Sequence, residues 1–155
     1  MSDGRRPPPD PPLLRASVDY VDGIFGEGAG ERHAHFLEHL RSDALRDTLH
    51  RYHLQESDTR WLSREENYLL GMAVLCAQRH YATAGMFAKT LRHLGVADEK
   101  ILEAVSRLSM WIGGVPAAEA ASHIQKALED YRQKGLESLD GWFPPAARGG
   151  GTGGA

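Results

Sequence analysis

The sequence predicts an all-α fold, a bundle of about six helices, and three observations carry that prediction. Apolar residues recur at intervals of three and four through the whole middle of the chain. No run alternates apolar and polar residues with the β-branched enrichment of a strand. Helix punctuation falls at helix-length intervals: Ser63 with Glu66, Gly95, the pair Gly113 and Gly114, Pro116 and Gly135.

The elements follow in order. A first amphipathic stretch runs from Glu31 to Arg41 and turns Phe36, Leu37 and Leu40 inward. A second, from Asp43 to His53, sets Leu45, Leu49 and Tyr52 on one side, and the polar residues 54–61 read as a loop. The third helix starts at a capping box, Ser63 and Glu66, in which each residue satisfies an orphan N–H near the other. Its body, with Leu69, Leu70, Ala73, Val74 and Ala77, is nearly all apolar, the pattern of a central helix. A fourth runs from Ala82 to Leu94, with Ala84, Phe87, Ala88, Leu91 and Leu94 on one face and Gly95 as its stop. A fifth spans Asp98 to Ile112 through Ile101, Val105 and Leu108. Pro116 suits the first turn of a sixth helix, which buries Ala120, Ala121, Ile124, Ala127, Leu128 and Tyr131 and stops at Gly135.

Composition bounds the function. The 155 residues suggest one domain, and the 41% hydrophobic content is enough for a core. Five of the eight prolines lie at positions 7–12, and five of the 17 glycines lie between Gly149 and Gly154. Residues 1–13 and 142–155 therefore read as disordered tails around a helical domain at 14–141. The net charge of −3 argues against nucleic acid as a partner, because domains that bind it usually carry a basic face. No apolar run approaches the ~18 residues of a membrane span, and the first residues carry no apolar signal core, so a cytoplasmic location is expected. The single Cys76 excludes an intrachain disulfide and a Cys-x-x-Cys redox pair.

Two segments resemble a known family: LSREENYLLGMAVL, and KTLRHLGVADEKILEAVSRLSMWIGGVPAAEAA. The order of a capped apolar helix, His93-Leu94-Gly95-Val96-Ala97, Glu99-Lys100-Ile101, Trp111, Gly113 and Pro116-Ala117-Ala118 is similar to the carboxymuconolactone decarboxylase family, which includes the AhpD-like alkylhydroperoxidases. The likeness covers residues 60–132, with one extra Gly before the Pro-Ala-Ala. It implies an all-α scaffold with a core helical hairpin, usually assembled as a homo-trimer or homo-hexamer. Where the peroxidase-like members carry Cys-x-x-Cys-x-x-x-His, this chain has His80, Thr83 and Phe87. Where the decarboxylase-like members carry Arg and His, it has His80 and Phe87. The likeness thus implies the scaffold without thiol peroxidase chemistry, which needs a thiolate and a resolving thiol.

The site candidates follow from residue chemistry and from that likeness. His80 stands where the resemblance puts the head of the active helix, beside Tyr81, and a neutral imidazole can both accept and donate a proton. His123 is a polar residue in an Ala/Ile-rich stretch. Tyr68 can donate a hydrogen bond to a substrate carboxylate or enolate. These three are the catalytic candidates; Phe87, Met72, Trp111 and Glu65 are the candidates for substrate binding. The expected function is a cofactor-independent lyase, decarboxylase, isomerase or cyclase acting on a small cyclic or apolar carbonyl or carboxylate compound. An alternative is a metal-dependent enzyme holding a divalent transition metal through His33, His35 and His39, with His50 and His53 available to complete the set. A third reading is a non-catalytic binding or assembly protein. Gly26-Glu27-Gly28-Ala29-Gly30 follows no strand, so it is no dinucleotide loop; it reads as a mobile segment, able to act as a lid over a pocket.

Overall fold

A computed structural model describes residues 11–39, 46–47, 49–53 and 60–139. Most of the two expected tails, Leu40, Leu45 and most of the 54–61 loop lie outside the described residues. The described residues form helices joined by turns, with no strand among them. The fold is all-α. No helix among them is long and apolar enough to cross a membrane. The described residues group into two compact units, one within Met1–Leu54 and one within Gln55–Leu139.

In the N-terminal unit, α1 (Pro11–Phe25) packs on α2 (Ala29–Glu38). Helix α1 begins inside the stretch read as a tail and continues through residues to which the periodicity assigned no helix. Prolines are tolerated in a first helical turn, where the missing N–H has no intrahelical partner anyway. Its buried positions are Leu13, Ser17, Tyr20, Val21 and Ile24, a helical spacing with a serine in the middle. The glycine-rich stretch is a tight turn between packed helices, not a lid. Gly26 and Gly28 take positive φ of 93° and 82°, and the Gly30 N–H donates to Asp22 Oδ1 at 2.7 Å. A Cβ at Gly30 would lie 2.3 Å from the Val18 carbonyl oxygen, so only glycine lets α2 approach α1 there.

Residues 46–47 and 49–53 are also helical. Their inward face differs from the expected one. Arg46, His50 and His53 are buried, while Leu49 is half-buried and Tyr52 is exposed. The periodicity is right and the phase is wrong, because the buried surface here is a polar network.

The C-terminal unit contains α3 (Arg64–Ala77), α4 (Tyr81–His93), α5 (Asp98–Arg107), α6 (Ser109–Ile112), α7 (Gly114–Lys134) and a closing 3-10 turn, Gly135–Leu139. The capping box is formed: Glu66 N donates to Ser63 Oγ at 3.1 Å, and Ser63 N to Glu66 Oε2 at 2.7 Å. Helix α4 lies between α3 and α7 and packs against both. Gly85 lets α4 approach Ala127 closely, since a Cβ there would sit 3.2 Å from the alanine methyl. The core joins Tyr68, Met72 and Cys76 of α3, Ala84, Ala88 and Leu91 of α4, Ile101 and Val105 of α5, and Ala120, Ile124 and Leu128 of α7.

Helix α3 is not the all-round buried helix its composition predicts. Only the i, i+4, i+8 stripe of Tyr68, Met72 and Cys76 is buried, and Leu70 and Val74 face outward. The helix expected from Asp98 to Ile112 is interrupted at Leu108. There the Leu108 N–H bonds to Val105 O, and Trp111 N–H to Leu108 O, three residues back rather than four. Gly95, Gly113 and Gly135 take the positive φ of helix stops. Lys89 ties the closing turn down: its buried ammonium donates to Asp130 Oδ2 at 2.5 Å and to the Ser138 carbonyl at 2.8 Å.

Candidate functional site

Polar chemistry gathers in two places, one in each unit. In the C-terminal unit the start of α4 meets the first half of α7. Arg79, at φ 61°, reverses the chain after α3, and His80 caps α4 with its backbone. This sets Tyr81 against α7. Its hydroxyl donates to Glu119 Oε2 at 2.9 Å. Its ring stacks on His123, with centroids 4.5 Å apart and planes 13° from parallel. Glu119 and His123 are i and i+4, so α7 presents them side by side. Partial burial, then the hydrogen bond and charge of Glu119, raise the Tyr81 phenol above its ordinary value. His80 and His123 are exposed and Tyr81 is half-buried, so the group opens to solvent. It unites a hydrogen-bond donor, a carboxylate and an imidazole.

The other residues singled out in the sequence are dispersed. Tyr68 is buried and packs on Phe87, with ring centroids 5.1 Å apart. Gly71 makes room for that ring, since a Cβ there would lie 2.6 Å from Phe87 Cε1. Met72 is fully buried core, whereas Trp111 is 83% exposed. Glu65 sits in the first turn of α3, where hydrogen bonds from its own backbone and from Ser63 hold its carboxyl below the usual range. Cys76 has no solvent exposure, and burial pushes its thiol up to about 11, which suppresses thiolate chemistry.

In the N-terminal unit the expected set His33, His35 and His39 does not converge. Two residues advance a helix by ~200°, so His33 points inward while His35 and His39 share the solvent face. There His39 Nδ1 bonds to the His35 carbonyl at 2.8 Å, and the two rings stand edge to face at 4.8 Å. His33 instead meets the other buried histidines, with its ring 5.1 Å from that of His53. Ser17 Oγ lies 2.6 Å from His53 Nδ1 and 2.8 Å from His50 Nδ1, bridging the two imidazoles. Tyr20 stacks on His53 at 5.6 Å. Burial, then His33 and His50, push the His53 imidazole down to about 3. Burial and the nearby Arg46 lower His50 as well. Among the described residues no three His, Cys, Asp or Glu side chains are placed to share a metal ion.

Sequence reasoning missed Ser17, Tyr81 and Glu119 as partners. The Glu119/His123 spacing of four was a readable signal for one group. Ser17, four residues after Leu13 on an apolar face, was a readable signal for the other. No protein-family model, curated protein or solved structure matches the chain.

Proposed function

We propose that the chain is a cofactor-independent acid–base enzyme on a carboxymuconolactone decarboxylase-like scaffold, acting on a small cyclic or apolar carbonyl or carboxylate compound. The observation that carries this reading is the contact of Tyr81 with both Glu119 and His123 across 38 and 42 residues of sequence. In the proposed reaction the His123 imidazole takes a proton from the carbon next to the substrate carbonyl. The electron pair of that C–H bond moves into the carbonyl and leaves an enolate. The Tyr81 hydroxyl donates a hydrogen bond to the enolate oxygen, and Glu119 orients the phenol until that oxygen arrives. Returning the proton at another position gives an isomerase. If the enolate pair instead attacks a second carbonyl of the same molecule, a ring C–C bond forms, the carbonyl π bond breaks and its oxygen takes the proton held by His123, which gives a cyclase. Protonating an enolate left by loss of carbon dioxide gives a decarboxylase. His80, adjoining Tyr81, is the second acid–base candidate.

A homo-oligomer, trimer or hexamer, is part of this reading. Its support is the apolar surface left on the C-terminal unit: Trp61 is 94% exposed, Met110 79% and Val115 83%. The same surface favours the second reading, a binding or assembly protein without catalysis.

The test is proton exchange in D2O. Wild-type protein is incubated with a panel of small cyclic ketones and keto acids, and loss of the α-proton signal is followed by NMR. Catalysed exchange that falls by about 10²-fold or more in His123→Ala is the expected result, since general acids and bases contribute ~10²–10⁴. No exchange across the panel overturns the enzyme reading and leaves the assembly reading; catalysed exchange equal in the variant overturns the assignment of the base to His123 and moves that role to His80.

A further inference from the structure

We propose that the N-terminal unit is a pH-responsive module, with the Ser17–His50–His53 bridge as its sensor and release of the helical residues 46–47 and 49–53 as its response. The geometry sets the protonation state. Ser17 has one hydroxyl proton, and two Nδ1 atoms face its oxygen at 2.6 and 2.8 Å. A satisfied bridge has one Nδ1–H donating to Oγ while Oγ–H donates to the other, bare Nδ1. The two facing nitrogens therefore share one proton. Charging both rings replaces the bare acceptor by a second donor, and the hydroxyl proton loses its partner.

The surroundings also oppose that second charge. From α1 the pair meets Ser17 and the Tyr20 ring, both uncharged. From α2 it meets His33, a buried base, and the Glu38 carboxylate. Its own helix supplies Arg46, Asp47 and Tyr52. Glu38 and Asp47 favour a charge on His50, but burial and the Arg46 guanidinium outweigh them. Among the described residues His50 Nε2 is buried with no hydrogen-bond partner, so a proton there finds no acceptor among them.

Groups with lowered folded pKa values bind more protons once the unit opens. The stability they lend is present above their ordinary value of 6.5 and is lost as pH falls through that value and below it. From the values of about 3 and 6.5, His53 alone shifts the opening equilibrium by about thirtyfold between pH ~7.5 and ~5.0. Most carboxylates stay ionised in that window.

The experiment is hydrogen exchange with mass spectrometry on the full chain at pH ~7.5 and ~5.0, corrected for intrinsic exchange rates, beside imidazole ¹⁵N shifts. Protection of α1 and α2 should fall by thirtyfold or more, while α3, α4 and α7 change several times less. The variant His50→Asn/His53→Asn keeps an amide at each Nδ1 position without titrating, so its protection should stay flat. His35→Ala/His39→Ala, on the solvent face, should respond like wild type. If the asparagine variant does not fold, the wild-type exchange and shifts decide. Protection of α1 and α2 that is unchanged at the lower pH overturns the proposal. So does an intact unit whose His50 and His53 rings both charge near 6.5.

Discussion

Replacing Lys89 by Met tests how the C-terminal unit is closed. The Lys89 ammonium is buried and bridges Asp130 on α7 and the Ser138 carbonyl of the closing 3-10 turn. Met keeps the length of the stem and removes both bonds. Loss of the bond to Ser138 costs about 1–1.5 kcal/mol net, because the donor is charged and the carbonyl is partly withdrawn from water. Loss of the ion pair costs less, about 0.5–1 kcal/mol, since Asp130 is a third exposed and keeps Lys134 at 2.6 Å. Relief of the buried ammonium offsets part of this, which leaves about 1–2 kcal/mol. At ~4–8 °C per kcal/mol for a unit of this size, calorimetry should show a Tm lower by about 5–15 °C. Exchange protection in Gly135–Leu139 should fall first. Lys134 and then Lys89 hold the Asp130 carboxyl below its ordinary value. The stability from that shift is present above about 3.8 and is lost as pH falls through the folded value. The gap between wild type and variant should therefore narrow in acid. A variant within about 0.3 kcal/mol of wild type, with the turn still protected, would refute the reasoning.

Ser63→Ala removes one half of the α3 capping box and should lower stability by about 1 kcal/mol, read by urea unfolding, with Ser63→Asp recovering most of it. Cys76, fully buried with its thiol pushed up to about 11, should resist iodoacetamide at pH ~8 in the folded protein and react on unfolding.

The helical class was legible because caps and breakers act locally. Ser63 and Glu66, Gly95, Pro116 and Gly135 mark boundaries that the structure keeps within a residue or two. Burial was legible where an element has one apolar face, as for Ile101 and Val105 or Ile124 and Leu128. It failed on α3, where a residue's own hydropathy does not say which of several apolar stripes finds a neighbour; Leu70 and Val74 lost to Met72 and Cys76. It failed on residues 46–53 for the opposite reason. Histidines there are buried because Ser17, 36 and 33 residues away in sequence, bonds their Nδ1 atoms. The site was legible only in part. His123 could be read as a polar residue among apolar ones, but its partner Tyr81 belongs to another helix, and no local pattern links the two.

The most direct test of the proposed chemistry is Tyr81→Phe in the proton-exchange assay, on whichever compound the wild type exchanges. The change removes one half-buried hydroxyl and keeps the ring that stacks on His123, so circular dichroism and Tm should match wild type. Removing a single donor to a developing oxyanion costs ~10²–10³ in rate. The account predicts a loss of α-proton exchange of about that size with the fold intact; exchange in Tyr81→Phe at the wild-type rate would contradict it.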